Sequence, residues 1–399
     1  MLPPSPDLAA PLIRMPYWRL SGFYFFYFAV LGALVPYWGL YLQFRGFDAA
    51  QIGELMAVLM ATKIIAPNLW GWIADHTGRR MAIVRLASLI SFVVFAGVFY
   101  VQGFWQLALV MSLFSFFWNA SLPQFEAVTF SYLGQRVHHY SRIRLWGSVG
   151  FIVTASGVGP LVDVYDPAVI PVVVFLCYLA IWLSSLPVPE RRAAPHGETQ
   201  EHLWRVLQRP AVAAFLAACF FMQAGHGAYY AFFSIYMEQT GYSKTLIGQL
   251  WTLGVVAEIV VFLFMHRLLH FWGARTVLLA SLFLAAVRWV LTGYFPAELW
   301  IILGAQTLHA ATFGSFHAAA IHLVHQYFTG RHQGRGQALY SSLSFGAGGA
   351  VGSLCSGYLW EGPGPTVTYL MAAGFSLLAF LVVWRWGGPG IQERQLAAD

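Results

Sequence analysis

Gly71-Trp72-Ile73-Ala74-Asp75-His76-Thr77-Gly78-Arg79-Arg80 is a short polar turn set between two long apolar runs, near 51–74 and 82–101. Gly78 permits a sharp bend, and Asp75 can meet a neighbouring helix N-terminus or the arginines. Arg79 and Arg80 would hold the turn on the basic side of a membrane. The same alternation extends in both directions. Apolar runs fall near 20–43, 51–74, 82–101, 105–133, 143–162 and 168–187, then near 210–237, 246–266, 276–294, 299–327, 337–360 and 366–386. A helix needs about 20 residues to cross the hydrocarbon core, so each run predicts one crossing. Of the 399 residues, 59% are hydrophobic, 17% aromatic and only 10% charged. A soluble domain carries about 25% charged residues, so soluble globular and disordered classes are both excluded.

The longest polar stretch between runs, Val188 to Arg209, cuts the chain almost in half. The expected organisation is a six-helix bundle over 1–187, a cytoplasmic linker over 188–209 and a second six-helix bundle over 210–399. The halves repeat. Tyr41, Gly46, Ile52, Gly53 and Leu55 match Tyr236, Gly241, Ile247, Gly248 and Leu250, each pair 195 positions apart. The same offset carries Gly78 to Gly273 and Arg80 to Arg275. Parallel repeats of this kind place a solute site at their interface near the bilayer midplane. Charge then sets the orientation. With the N-terminus inside, 18 of the 22 basic residues fall on inside segments or helix ends; Arg45 and Lys244 lie outside, and Lys63 and Arg288 within runs. Both termini are therefore expected in the cytoplasm.

The formal charge of +6 does not mark a nucleic-acid binder, because no basic stripe with interleaved aromatics accompanies it. Cys177, Cys219 and Cys355 all sit in apolar runs and read as small buried side chains, not as disulfides or metal ligands. Met1 to Arg14 is polar and Pro-rich, and the first run is too long for a signal h-region, so no cleaved leader is expected.

Lys63, Glu126, Glu258 and Arg288 lie well inside the runs. Each costs about 2.5–3.5 kcal/mol at a helix centre, so an idle charge there is improbable. Arg144 opens the fifth run, and a short connection makes that helix an antiparallel neighbour of the one bearing Glu126. The alternatives are static ion pairs and a path for solute and protons. His309 and His317 are eight apart and share a helical face, whereas His322 and His325 lie nearer the cytoplasmic end and read as merely polar. Most of the 33 Phe and 16 Trp are expected to face lipid or its interfaces.

The turn at 71–80 resembles the G-x-x-x-D-x-x-G-R-R signature of the major facilitator superfamily, with His266 and His270 standing at the Gly and Asp positions of the second copy. The resemblance implies an all-α integral membrane fold of twelve helices in two pseudo-symmetric six-helix bundles. It also implies that Gly71, Asp75, Gly78, Arg79 and Arg80 serve conformational switching and not solute binding. Glu126 and Arg144 resemble the sugar-holding pair of the lactose permease family, whose stacking Trp is replaced here by Phe151. Glu258, Arg288 and His309 match that family's proton-coupling positions, but Thr312 stands where its proton-carrying Glu would be. Coupling would then fall to Glu258 or Glu126. Gln223-Ala224-Gly225-His226-Gly227-Ala228-Tyr229-Tyr230, Leu253 to Glu258 and Arg142 to Ser148 are more similar to the phenylpropionate permease group. That likeness implies an aromatic carboxylate entering with a proton.

The expected function is therefore a proton-coupled symporter importing a small aromatic carboxylate by alternating access. Lys63, Glu126, Arg144, Phe151, His226 and Tyr229 would bind the solute, and Glu258, Arg288 and His309 would couple the proton. Lys63 suits a carboxylate as a point charge, or pairs internally with Glu126 or Glu258; both readings stay open. A sugar or nucleoside symporter is the alternative. An enzyme is not expected, since no nucleophile–base motif, HExxH or phosphate loop appears. No cofactor or metal is expected. The partners would be the solute, protons and the lipid of an inner membrane, for a monomeric chain.

Overall fold

The computed structural model describes residues 15–134, 136, 139–191, 203–330 and 332–388. Arg14, Arg192, Arg331 and Arg394, together with residues 192–202 of the expected linker, lie outside the described residues. Among the described residues there is helix and no strand. In the first half the helices are α1 (Tyr17–Phe44), α2 (Ala49–Thr77), α3 (Arg80–Phe95), α4 (Phe104–Leu133), α5 (Tyr140–Tyr165) and α6 (Val169–Ser185). A short α7 (Leu203–Leu207) precedes α8 (Pro210–Gln239) and the 51-residue α9 (Lys244–Tyr294). Then come α10 (Leu299–Thr307), α11 (Ser315–Tyr327), α12 (His332–Ser341), α13 (Gly349–Trp360) and α14 (Pro365–Trp386). Wider π turns at Ala310–Gly314 and Ser342–Gly348 join α10 to α11 and α12 to α13.

All twelve apolar runs coincide with helix. Among the described residues eight helices are long and apolar enough to cross a membrane by length and composition. The eighth and ninth runs share α9, which breaks at Gly273, where φ is 73° and ψ 156°. Helix is the natural outcome in such sequence, since hydrocarbon offers the backbone no partner outside the chain. Local residues set the ends. Asp48 and Gln51 form a reciprocal capping box at the start of α2, and Gly78 ends that helix at φ 67°. Ser243, 195 residues after Asp48, likewise accepts the third amide of its helix, from Leu246 of α9, without a return bond. The turn before each cap repeats as well. Arg45, Gly46 and Phe47 donate to the carbonyls of Tyr41, Gln43 and Leu42, while Thr240, Gly241 and Tyr242 donate to those of Tyr236, Glu238 and Met237. The duplication inferred from side chains is thus written bond for bond in the backbone.

Exposed aromatics gather at the helix ends. Trp18, Trp72, Trp204, Trp272, Trp384 and Trp386 ring the end where α1 starts, called here the near end, and Tyr100, Trp105, Tyr165, Tyr294, Trp300 and Tyr358 ring the far end. Two such belts are the mark of a bilayer's two interfaces. Between the halves, α5 packs on α9, α2 on α13 and α1 on α8. One apolar core runs through the first half and continues into α8, α9 and α13–α14 at the far end. A second, separate core lies at the near end of the second half, among residues such as Val212, Phe215, Leu323 and Tyr340. The halves therefore share a core only toward the far end.

Candidate functional site

In the first half α2, α4 and α5 bring three charges inward. All three side chains are half-buried. The Tyr140 hydroxyl donates to Glu126 Oε1 at 2.9 Å. Arg144 lies flat on Phe28, its guanidinium carbon 3.6 Å from the ring centroid, and 6.0 Å from that of Tyr24. Stacking of this kind suits a guanidinium left without a carboxylate. Among the described residues Arg144 has no carboxylate within 4.0 Å, so it and Glu126 make no direct ion pair. Lys63 pairs with neither Glu126 nor Glu258; its Nζ lies 3.7 Å from Met60 Sδ. Phe151 packs against the shared core, where its backbone meets α1 at Gly32. Among the described residues the region holds two cations and one anion, with no direct ion pair among them.

The second half is wired differently. Glu258, from α9, lies 2.8 Å from His309 Nε2, and Arg288, from the other arm of α9, lies 2.7 Å from His309 Nδ1. A guanidinium only donates, so Nδ1 must present its lone pair. The ring proton then sits on Nε2 and is given to Glu258. Carboxylate, neutral imidazole and guanidinium form one chain. Two glycines let it close: a Cβ at Gly254 would press on the His309 ring, and one at Gly314 on the Glu258 side chain. His309 stands immediately before the π turn, a feature that recurs at functional positions in helices.

Arg288 is fully buried, with Tyr229 and Trp289 rings at 4.4 and 4.5 Å. It also reaches Thr312 Oγ1 at 3.4 Å and Gln306 Oε1 at 3.5 Å, and Gln306 accepts from the Tyr229 hydroxyl at 2.8 Å. Where the lactose permease resemblance puts a carboxylate, Thr312 thus still offers Arg288 an oxygen. His226 and Tyr229 are buried behind this chain, not on an open surface. His226 bonds the Met222 carbonyl through Nδ1 and meets Trp289 edge-on, its Nε2 unpartnered. The structure therefore gathers Glu258, Arg288, His309, His226 and Tyr229 together, and sets Lys63, Glu126, Arg144 and Phe151 in the other half.

The 71–80 stretch lies at the near end, where, contrary to the expected turn, Gly71 to Thr77 finish α2 as helix and only Gly78 and Arg79 turn. Arg80 bridges Asp75 on α2 and Gln124 on α4, and Gly71 faces Gln124. Arg79 is exposed at the start of α3. Among the described residues Asp75 caps no neighbouring helix; the first amides of α3 go to Glu190, which accepts from Met81 at 2.9 Å. Sequence reasoning missed Gln306, Tyr140, Phe28 and Glu190. Gly254 alone was discoverable, standing one turn before Glu258 on the same helical face.

Paired apolar-helix halves, aromatic belts and buried charges within each half fit a multi-pass membrane transporter. The match to the MFS_1 like family covers residues 17–371, and the chain belongs to that family, within the major facilitator superfamily. It is 31% identical over 364 residues to the probable 3-phenylpropionic acid transporter of Escherichia coli K12, covering 89% of this chain and 94% of that one. It is 26% identical over 364 residues to the maltose permease of Geobacillus stearothermophilus, covering 90% and 92%. Among solved structures, nucleoside transporter NupG superposes with a TM-score of 0.77 at 17% identity, over 93% of this chain and 99% of that one. A bacterial homologue of the lysosomal transporter Spinster, in an inward-facing and unoccupied conformation, gives 0.66 at 13% identity, over 96% and 100%. These relatives are transporters, not enzymes, and the fold is theirs.

Proposed function

We propose that the chain is a proton-coupled symporter that imports a small aromatic monocarboxylate by alternating access. One observation carries this reading: Lys63 and Arg144 are half-buried cations without a carboxylate partner among the described residues. Two cations against Glu126 leave one positive charge for an anionic solute to neutralise, and burial makes that pairing stronger than it would be in water. Aromatic rings at Tyr24, Phe28 and Phe151 suit the rest of such a solute. The name of the Escherichia coli relative points the same way.

In this reading Glu258, His309 and Arg288 couple the proton. The observed chain needs a neutral His309. Protonating the ring would turn Nδ1 into a donor facing the Arg288 donor, and protonating Glu258 would replace a charge-assisted bond with an ordinary one. Either event loosens one link, and reorganisation between the halves can relay that change to the solute. His226 and Tyr229 act from behind by holding His309 and Arg288. The near end is cytoplasmic, the division at 188–209 separates two six-helix bundles, and the monomer works in an inner membrane. The second reading, a sugar or nucleoside symporter, draws on Glu126 and Arg144 on adjacent helices and on the names of the maltose and nucleoside relatives.

The test is uptake into proteoliposomes of 3-phenylpropionate, maltose and a nucleoside, with and without an inward proton gradient. Gradient-driven accumulation of the carboxylate alone is expected. Accumulation of either neutral solute in its place would overturn the proposal in favour of the second reading.

A further inference from the structure

Helices α2 and α9 both begin at the far end, each against the other half of the chain. The first amides of any helix lack partners within it. In α2, Asp48 takes the Gln51 amide at 2.8 Å, while the Ala49 amide donates to Glu361 Oε1 at 2.9 Å, just beyond α13. In α9, Ser243 takes the Leu246 amide at 3.2 Å, while the Lys244 and Thr245 amides donate to Asp163 of α5 at 3.0 and 2.9 Å. The Thr245 hydroxyl adds a bond of 2.6 Å to Asp163 Oδ2. A second-half carboxylate thus caps a first-half helix, and a first-half carboxylate caps a second-half helix.

The two arrangements correspond through the repeat. Ala49 and Lys244 are 195 positions apart, and Glu361 follows Asp163 by 198. Each acid comes four residues after a glycine, in Gly159-Pro160-Leu161-Val162-Asp163 and Gly357-Tyr358-Leu359-Trp360-Glu361. A Cβ at Gly159 would strike the backbone of Lys244 and Thr245, and one at Gly357 the backbone of Ala49 and Gly53. The glycine admits the helix end of the other half, and the acid one turn later receives its amides.

We propose that Asp163 and Glu361 are two matched latches that hold the far end shut, and that opening both is required for the chain to turn to its other face. The inference rests on the alternating-access reading, but not on the solute or on proton coupling. Opening the far end hands four donors and two carboxylates to water. Both acids are already exposed, so the exchange is cheap enough to be reversible, and it is screened by salt. The latches sit on different seams, α5 against α9 and α2 against α13. Releasing one leaves the other as a pivot.

The experiment uses the full chain with Cys177, Cys219 and Cys355 replaced by Ser and spin labels at Gln102→Cys and Gln239→Cys, exposed far-end positions in opposite halves. Distances are read in nanodiscs without added solute. From the usual worth of a helix cap, Asp163→Asn should raise the ratio of long to short distances about fivefold, Glu361→Gln about threefold, and the pair about fifteenfold. An unchanged distribution in the folded double variant would overturn the proposal. Should that variant not fold, raising salt on the unaltered latches must shift the ratio the same way, and no shift counts equally against it. Carboxylate uptake can fail without moving these distances, so the two readings fail separately.

Discussion

The two halves share a backbone plan yet treat buried charge in opposite ways. In the second half Glu258, His309 and Arg288 neutralise one another in a continuous chain, backed by Tyr229, Trp289 and Gln306. In the first half Lys63 and Arg144 lie on sulfur and aromatic surface, apart from Glu126. A closed chain needs no further partner for its charges; in the proposed reading it answers to a proton, and the open set of charges to the solute. The repeat gives two like scaffolds, and their buried side chains differ.

Arg288→Gln breaks that contrast most directly. It strands His309 and Glu258 inside the second half, and removing one partner of a buried charged set costs about 3–5 kcal/mol. Thermal unfolding should show a large loss of stability along with abolished uptake. Lys63→Met should behave in the opposite way. With no carboxylate left stranded, the melting temperature should hold, while the KM for a carboxylate solute rises about tenfold or more, the worth of a charged hydrogen bond. A fall in stability matching that of Arg288→Gln would show the halves to be alike after all. Glu258→Gln keeps the shape of the chain and removes its charge. Solute exchange should persist in proteoliposomes while gradient-driven accumulation collapses; unchanged accumulation would move the proton to Glu126. The smallest effect is expected from Arg80→Ala, which loses Asp75 and Gln124. The cost should be about 1 kcal/mol or less, as for other partly exposed pairs, and is read by thermal unfolding.

Periodicity and length made the helices legible, because a membrane leaves the backbone so few alternatives. Tyr41 and Tyr236 revealed the duplication, down to the left-handed glycines at 46 and 241, where φ is 83° and 100°. Of the turn expected at 71–80 only Gly78 and Arg79 make the bend, since Gly71 to Thr77 continue α2 as helix, and its second copy shows why a motif and its backbone differ. Gly273 keeps the positive φ of Gly78, but His266 and His270 carry no carboxylate, and Arg275 donates to the Trp384 carbonyl at 2.9 Å. Spacing also placed Glu258, Arg288 and His309 on helices able to meet. What stayed hidden were partners far apart in sequence or without a pattern: Gln306 beneath Tyr229, Phe28 beneath Arg144 and Glu190 on the amides of α3. No periodicity encodes those contacts, since each depends on how separate helices are packed.

The π turn after His309 also bears on how this chain can change over time. A π turn holds one residue more than the α-helix it interrupts. Losing a single codon between Ala310 and Gly314 would restore ordinary winding and leave α11 facing much as it does, because the wider turn already absorbs the extra residue that would otherwise add about 100° of rotation. His317 would keep its hydrogen bond with Tyr340, and the change would be confined to the winding beside His309. One deletion, with no substitution at the site, would reshape the turn that carries His309 and leave the rest of the second half in register.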